Sequence, residues 1–150
     1  MREGEWLAMN PEHPTHLFVY GTLRRDPAHE MFHLLARAAR FIGEARVAGR
    51  LYDLGTYPGM TLSTNGKYVK GEIYEVRPDQ WERVIQQLDE YENCREDDPE
   101  PHEYRRELVK AELRSGRTVR AWAYVLNRPA HGLREIPSGD YLANSTALPT

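Results

Sequence analysis

The chain has 150 residues, about the length at which a single hydrophobic core is satisfied, and no linker-like stretch divides it. Its 20 basic and 23 acidic residues give a formal charge of -3, which argues against general nucleic-acid or anionic-membrane binding and favours a neutral or zwitterionic small molecule. No run approaches the roughly 18 apolar residues needed to cross a bilayer, and a lone cysteine excludes an internal disulfide, so we expect a protein of the reducing cytoplasm.

A polar leader and a buried strand are predicted at the start of the chain. Residues 1–15 mix Glu, Pro and His without a period, which is typical of a flexible terminal segment. The next residues, Leu17-Phe18-Val19-Tyr20, form a dense apolar run that ends at Gly21. We therefore predict one domain over residues 16–145 that opens with a buried strand, and a short tail over 146–150.

The first helix is predicted by a start signal and a helical period. Asp26-Pro27 offers an N-cap followed by a proline at the first helical position. Apolar residues then recur at the spacing of one helix face, at Met31, Leu34, Leu35 and Ala38. This pattern predicts a helix from about Pro27 to Arg40.

Three short β-prone segments follow the first helix. They are separated by turn residues at Gly55, Pro58-Gly59 and Asn65-Gly66. The segments run over Val47–Leu54, Met60–Ser63 and Tyr68–Val76. Because Asn-Gly is a strong two-residue turn signal, Asn65-Gly66 predicts a β-hairpin between the last two segments.

The most regular helical pattern of the chain begins at Pro78-Asp79. Its apolar residues step by three and four, as one buried stripe of a helix requires. They are Trp81, Val84, Ile85, Leu88 and Tyr91. A second helix that packs on the core through this stripe is therefore predicted.

A charged loop and a final hairpin are predicted after the second helix. Residues 92–103 are acidic and contain two prolines, which predicts an exposed loop. The β-prone segments 104–113 and 117–127 flank Ser115-Gly116, which predicts a β-hairpin. Since hairpins make much of the sheet antiparallel, the predicted fold class is α+β rather than doubly wound α/β.

Glu92 is a candidate general acid and base. It lies four residues beyond Leu88, so a helix that persisted this far would carry the Glu92 side chain along the buried stripe. Burial without a partner raises the pKa of a carboxyl group, which lets a Glu exchange protons near neutral pH. The alternative is that the stripe ends at Leu88 or Tyr91 and that Glu92 opens the solvated acidic loop.

Tyr20-Gly21-Thr22-Leu23 is a candidate anion-binding loop. It directly follows the first strand, and its glycine permits a sharp turn in which successive backbone N–H groups point at one carboxylate or oxyanion. The alternative is an ordinary turn, because a glycine after a strand is common.

Several segments taken together carry a family resemblance in their order and spacing. They are Phe18-Val19-Tyr20-Gly21-Thr22-Leu23, Gly55-Thr56-Tyr57-Pro58-Gly59, Leu88-Asp89-Glu90-Tyr91-Glu92, Tyr104 with Arg106, and Ala121-Trp122-Ala123-Tyr124-Val125. This combination resembles the γ-glutamylcyclotransferase-like family, which includes γ-glutamylamine cyclotransferase-like proteins. The resemblance covers residues Leu17 to Tyr141.

The resemblance implies a small mixed, largely antiparallel β-barrel with flanking helices and a ligand cavity at one mouth. It implies that Glu92, rather than Glu90 or Asp89, is the acid and base. It implies no metal and no organic cofactor. The substrate-binding residues that it implies are the backbone of Tyr20, Gly21, Thr22 and Leu23, with Tyr57 and Tyr124 lining the cavity.

The activity that the resemblance implies is the release of 5-oxoproline from a γ-glutamyl amine, peptide or aminoacyl conjugate. The chain departs from the family pattern at Asn93, where glycine is usual, and in a longer, more acidic loop over residues 93–103. Asn tolerates the left-handed conformation, so the local geometry can survive. The alternative functions are a non-catalytic module that binds a small metabolite in the same pocket, and an interaction protein whose acidic loop docks on a basic partner.

Three other pairs of residues are candidates for functional sites. His29 and His33 have a spacing that can bind zinc, but no third ligand accompanies them, which favours a solvated helix face. Cys94 and His102 share the acidic loop, where negative charge raises the pKa of a thiol and disfavours a nucleophile. Arg24-Arg25 could recognise an anion or be surface charge, and the sequence leaves the two readings open.

Overall fold

The computed structural model describes residues 15–21, 30–55, 58–64, 66–91 and 104–141. Of the predicted leader over residues 1–15, residues 1–14 lie outside these ranges, as does the tail over 146–150. Thr15 is described and is buried. The described helical segments are α1 (Glu30–Ala38), a 3-10 turn (Pro78–Gln80) and α2 (Trp81–Tyr91). The described strands are β1 (His16–Val19), β2 (Ala39–Asp53), β3 (Pro58–Leu62), β4 (Tyr68–Val76), β5 (Tyr104–Leu113), β6 (Thr118–Leu126) and β7 (Arg134–Ile136).

Five strands close into a barrel. β1 pairs antiparallel with β4, β4 with β2, β2 with β5 and β5 with β6, and the ring closes where β6 pairs with β1 in parallel. One parallel pair among antiparallel ones makes the barrel mixed. The predicted α+β class and the small mixed, largely antiparallel β-barrel with flanking helices are therefore confirmed.

Apolar side chains pack on both faces of the barrel wall. One cluster fills the interior and includes Phe18, Val69 and Ile73. A second cluster lies between the outer face and the two helices, and includes Leu35 of α1 and Leu88 of α2. Among the stripe residues whose burial is described, those of α1 and all but the partly buried Trp81 of α2 are buried, namely Leu34, Leu35, Ala38, Val84, Ile85 and Leu88. Across the described residues, neither helix has the length and apolar character that crossing a membrane would require.

β2 is longer than the sequence predicts and begins where the first helix stops. α1 ends at Ala38, and Ala39 already pairs with Val76, so the predicted helix end at Arg40 is two residues too late. Residues 39–46 show no clear alternation of polar and apolar side chains, and the pairing skips a residue between Phe41 and Gly43. The strand there is set by its neighbour β4 rather than by local pattern.

The predicted hairpin at Asn65-Gly66 is wrong, because β3 and β4 lie on opposite edges of β2. Ser63 N donates to Ala48 O at 3.4 Å, whereas Gly49 N donates to Lys67 O at 3.0 Å. The C=O and N–H of the peptide between residues 48 and 49 point in opposite directions, so the chain crosses from one edge to the other. Gly66 has a positive φ of 88°, as a turn glycine can, and Asn65 lies outside the described residues.

The hairpin predicted around Ser115-Gly116 is confirmed. β5 and β6 pair antiparallel from Tyr104 opposite Leu126 to Glu112 opposite Thr118. Gly116 in the connection has a φ of 92°, a conformation that favours glycine. The second helical segment also begins at Pro78, as predicted.

His16 opens β1 in a groove of about 580 Å³ beside the end of α1. Its Nε2 lies 3.7 Å from Glu75 Oε2, and Glu75 also pairs with Arg40 at 2.6 Å. Burial holds the pKa of His16 below its ordinary value of 6.5, against the opposing effect of Glu75 and with help from Arg117 and Arg40. The folded protein therefore favours the neutral imidazole.

The lowered pKa of His16 predicts a loss of stability in mild acid. As the pH falls through 6.5, the unfolded chain takes up a proton at His16 before the folded protein does. We expect the free energy of unfolding, measured with urea, to fall between about pH 7.5 and about pH 5.5, and to fall less in His16→Gln. Exposed His131→Gln is the matched control. Equal losses in wild type and His16→Gln would contradict the prediction.

Glu135 is a second titrating group, and it changes its charge below the pH range of this experiment. A hydrogen bond from the Lys67 ammonium, helped by Arg50, lowers the pKa of the Glu135 carboxyl below its ordinary 4.5. A carboxyl of this kind stabilises the fold above that pH and loses its contribution as the pH falls further. The Glu135 effect therefore belongs to a more acidic range than the His16 effect.

Candidate active site

The candidate site lies at one end of the barrel, called here the β1 end, where β1 and β6 finish and β3 and β5 begin. Tyr20 and Gly21 directly follow β1 at this end. The hydroxyl of Tyr104, the first residue of β5, donates to Pro58 O, in the first residue of β3, at 2.6 Å. The other predicted site residues, Thr22, Leu23, Tyr57 and Glu92, lie outside the described residues.

Tyr20 joins three strands through its hydroxyl. The hydroxyl donates to Tyr124 O of β6 at 2.6 Å and accepts from Met60 N of β3 at 3.2 Å. The side chain is only 6% exposed and stacks beside Phe18 in the barrel interior. The phenol therefore holds the strand ends together. The predicted contact of Tyr20 with the substrate is made by its backbone N–H, and this contact stays a prediction.

Replacing Tyr20 with Phe is expected to destabilise the fold. The change leaves a buried carbonyl at Tyr124 and a buried N–H at Met60 without this partner, at a cost of about 1–3 kcal/mol in the free energy of unfolding. Urea denaturation measures the loss. Tyr68→Phe, at a ring that is 40% exposed, is the matched control and should change stability by less than about 0.5 kcal/mol. Equal stabilities of the two variants would refute the role of Tyr20.

Gly21 is favoured by a close approach of Pro58, since its own φ is not among the positive ones. A Cβ on Gly21 would lie 3.0 Å from Pro58 Cγ and 3.3 Å from Pro58 Cδ. Among the described glycines, those with a positive φ are Gly55, Gly66, Gly116, Gly132 and Gly139. The glycine after β1 therefore makes room for the first residue of β3.

Tyr124 and Asp89 connect the barrel to the end of α2. The Tyr124 hydroxyl donates to Asp89 Oδ1 at 2.6 Å, and Arg106 Nη1 lies 3.4 Å from Asp89 Oδ2. The Arg106 guanidinium also lies over the ring of Trp122, 5.5 Å from its centroid. The Tyr124 side chain is buried in the cluster between the barrel and the helices, and a place for its ring in the wall of the cavity stays a prediction.

Glu72 is a buried carboxylate that the sequence analysis missed. It lies in β4 opposite Val19 of β1, is 1% exposed, and accepts a hydrogen bond from the Tyr74 hydroxyl at 3.0 Å. Along β4 it shares a face with Tyr74 and the fully buried Val76. A Glu on the apolar side of a strand was the available signal, because charged residues are seldom buried without partners.

Glu92 follows the last residue of α2, which ends at Tyr91. The stripe that leads to it is buried, since Val84 and Leu88 are both 0% exposed. Whether the Glu92 side chain continues this stripe stays a prediction. Within the described ranges, no group of three or more His, Cys, Asp or Glu side chains is placed to hold a metal ion.

Comparison with known proteins places this geometry in a family. Residues 17–143 match the family described as gamma-glutamyl cyclotransferase, AIG2-like. The gamma-glutamylcyclotransferase family protein YtfP of Escherichia coli strain K12 is 33% identical over 127 residues, which are 84% of this chain and 95% of that protein. The family expected from the sequence motifs is therefore the one that the comparison finds.

Solved structures share the fold over most of the chain. The crystal structure of YkqA from Bacillus subtilis aligns with a TM-score of 0.66 and 29% identity over 89% of this chain, although this chain covers only 41% of YkqA. An AIG2-like protein from Mus musculus aligns with a TM-score of 0.60 and 26% identity, over 82% of this chain and 95% of that one. With a family match from residue 17 to residue 143, this chain belongs to the AIG2-like gamma-glutamyl cyclotransferase family.

Proposed function

We propose that the protein is a cyclotransferase that converts a γ-glutamyl compound to 5-oxoproline and releases the attached amine or amino acid. One observation carries the proposal beyond family membership. Tyr124 accepts from the Tyr20 hydroxyl with its backbone oxygen and donates to Asp89 with its own hydroxyl. One residue thus ties the strand end that precedes Thr22 to the helix end that precedes Glu92.

The proposed reaction uses a nucleophile that belongs to the substrate. The α-amino nitrogen attacks the γ-carbonyl carbon, a five-membered ring closes, and the bond from that carbon to the departing nitrogen breaks. The α-ammonium must lose a proton before attack, and the departing nitrogen must gain one. The protein's task is to fold the substrate into this geometry and to carry the proton.

We assign both proton transfers to Glu92. Its carboxylate takes one proton from the α-ammonium before attack and returns it to the leaving nitrogen as the bond breaks. The ring nitrogen loses a second proton when the lactam forms, and this proton goes to the released amine, which leaves as an ammonium ion, so protons balance without a metal or organic cofactor. Tyr20, Gly21, Thr22 and Leu23 offer backbone N–H groups to the substrate carboxylate or to the developing oxyanion. Donors of this kind stabilise developing charge most when they are oriented before the substrate arrives.

The rest of the pocket is assigned to aromatic walls. Tyr57 and the ring of Tyr124 line the cavity, as rings commonly do in sites that take one small ligand. The partner is then a small γ-glutamyl molecule. We place the protein in the cytoplasm, because its single Cys94 suits a reducing compartment.

The test is a substrate panel for the purified protein. γ-Glutamyl amines, γ-glutamyl dipeptides and glutathione are incubated with wild type and with Glu92→Gln, and 5-oxoproline is quantified by mass spectrometry. We expect wild type to release 5-oxoproline from at least one panel member, which then identifies the leaving group. Binding without turnover, measured by calorimetry, would replace the proposal with a metabolite-binding module in the same pocket.

A further inference from the structure

We propose that Asp89 is a positioning residue that holds the end of α2, and with it Glu92, in register with the barrel. The inference rests on the proposed role of Glu92. Asp89 lies in the last turn of α2, three residues before Glu92. Its side chain is 18% exposed, and its carboxylate is turned towards two barrel strands.

The carboxylate uses its two oxygens on two neighbouring strands. Oδ1 accepts from Tyr124 of β6 at 2.6 Å, and Oδ2 lies 3.4 Å from Arg106 Nη1 of β5. Arg106 and Tyr124 are directly opposite each other in the β5–β6 pair. One hydrogen bond and one ion pair from a single register position therefore meet the two oxygens of one carboxylate, which restricts both the distance and the rotation of the helix end.

The helix itself offers no reason for an aspartate at this position. Negative charge is unfavourable near a helix C-terminus, and Asp is a poor helix former. The last turn of α2 contains no basic residue that would compensate. The contacts with Tyr124 and Arg106 offset this unfavourable position.

Apolar packing holds α2 on the barrel, and we assign to Asp89 the orientation of the helix end. Val84 and Leu88 are fully buried, but apolar contacts have little directional preference. The hydrogen bond from the Tyr124 hydroxyl to Asp89 does have a preferred direction. A shift of about 1 Å in a catalytic group can cost about 100-fold in rate. Loss of the Asp89 contacts should therefore lower turnover more than it lowers stability.

The experiment removes each half of the contact. Tyr124→Phe deletes one hydroxyl and keeps both the ring and the backbone oxygen that receives Tyr20, and Asp89→Asn removes the charge that faces Arg106. With the best panel substrate, we expect kcat to fall about 10- to 100-fold in each variant while KM changes less than about threefold. The two contacts act together, so the loss of kcat in the double variant should be close to that of the slower single variant. It should be smaller than the product of the two single losses. Exposed Asp79→Asn, at the other end of the helical segment, is the matched control.

Amide hydrogen exchange of peptides that cover residues 84–95 provides a readout independent of turnover. Faster exchange in Tyr124→Phe and Asp89→Asn, with kcat lowered and KM kept, supports the inference. A kcat within about threefold of wild type in both variants overturns it. If wild type releases no 5-oxoproline, the proposed function fails, and exchange alone decides the anchoring: acceleration in both variants supports it and unchanged exchange overturns it.

Discussion

Glu92→Gln is expected to lower 5-oxoproline release about 100- to 10,000-fold, the usual contribution of a positioned acid and base. Gln keeps the size and shape of Glu but cannot accept the proton of the α-ammonium. The loss should appear in kcat, while substrate binding through the backbone of residues 20–23 is retained. Steady-state kinetics on the best panel substrate measure both quantities.

The matched control for Glu92→Gln is Glu82→Gln on the same helix. Glu82 is exposed in the first turn of α2, at the far end of the helix from Glu92. We expect this variant to keep wild-type kinetics and circular dichroism. If folded Glu92→Gln retained turnover within about tenfold of wild type, the acid and base would have to be a different group.

Leu88→Ala is expected to lower the free energy of unfolding by about 2–5 kcal/mol. Leu88 is 0% exposed and belongs to the cluster between α2 and the outer face of the barrel. Its removal costs the transfer free energy of the lost carbons and leaves a cavity that the rigid barrel wall cannot fill. Urea denaturation followed by circular dichroism gives the value.

A neighbouring position separates this cavity effect from a change in helix propensity. Gln87→Ala introduces the same residue on the exposed face of α2, and it should change stability by less than about 0.5 kcal/mol. A Leu88→Ala loss of below about 1 kcal/mol would mean that this face of α2 contributes little to the core.

Local patterns in the sequence were sufficient for elements whose signals are short-range. The stripe through Val84 and Leu88 predicted α2, and Ser115-Gly116 between alternating segments predicted the β5–β6 hairpin. Tyr68–Val76 was predicted with the bounds that β4 has. In each case neighbours along the chain supply the period or the turn.

The site was predicted only in outline. Motif order along the chain indicates the family. The hydrogen bond between Tyr20 and Tyr124 shows that these two residues lie close together, and their contact with a substrate stays a prediction. The family resemblance assigns the acid and base to Glu92 rather than to Asp89, and no local pattern in the sequence predicts the contact of Asp89 with Tyr124. That contact joins residues 35 positions apart, and a period of three or four residues cannot report it.

The sequence by itself determined the two helices, most of the strands and the family of this chain, because apolar periods and short motifs are properties of neighbouring residues. Tertiary structure decided the rest. β2 extends back to Ala39 because β4 pairs with it, and Asn65-Gly66 makes no hairpin because β2 receives β3 and β4 on opposite edges. Pairing across a sheet depends on which strands meet after folding, and a local pattern carries no information about that choice.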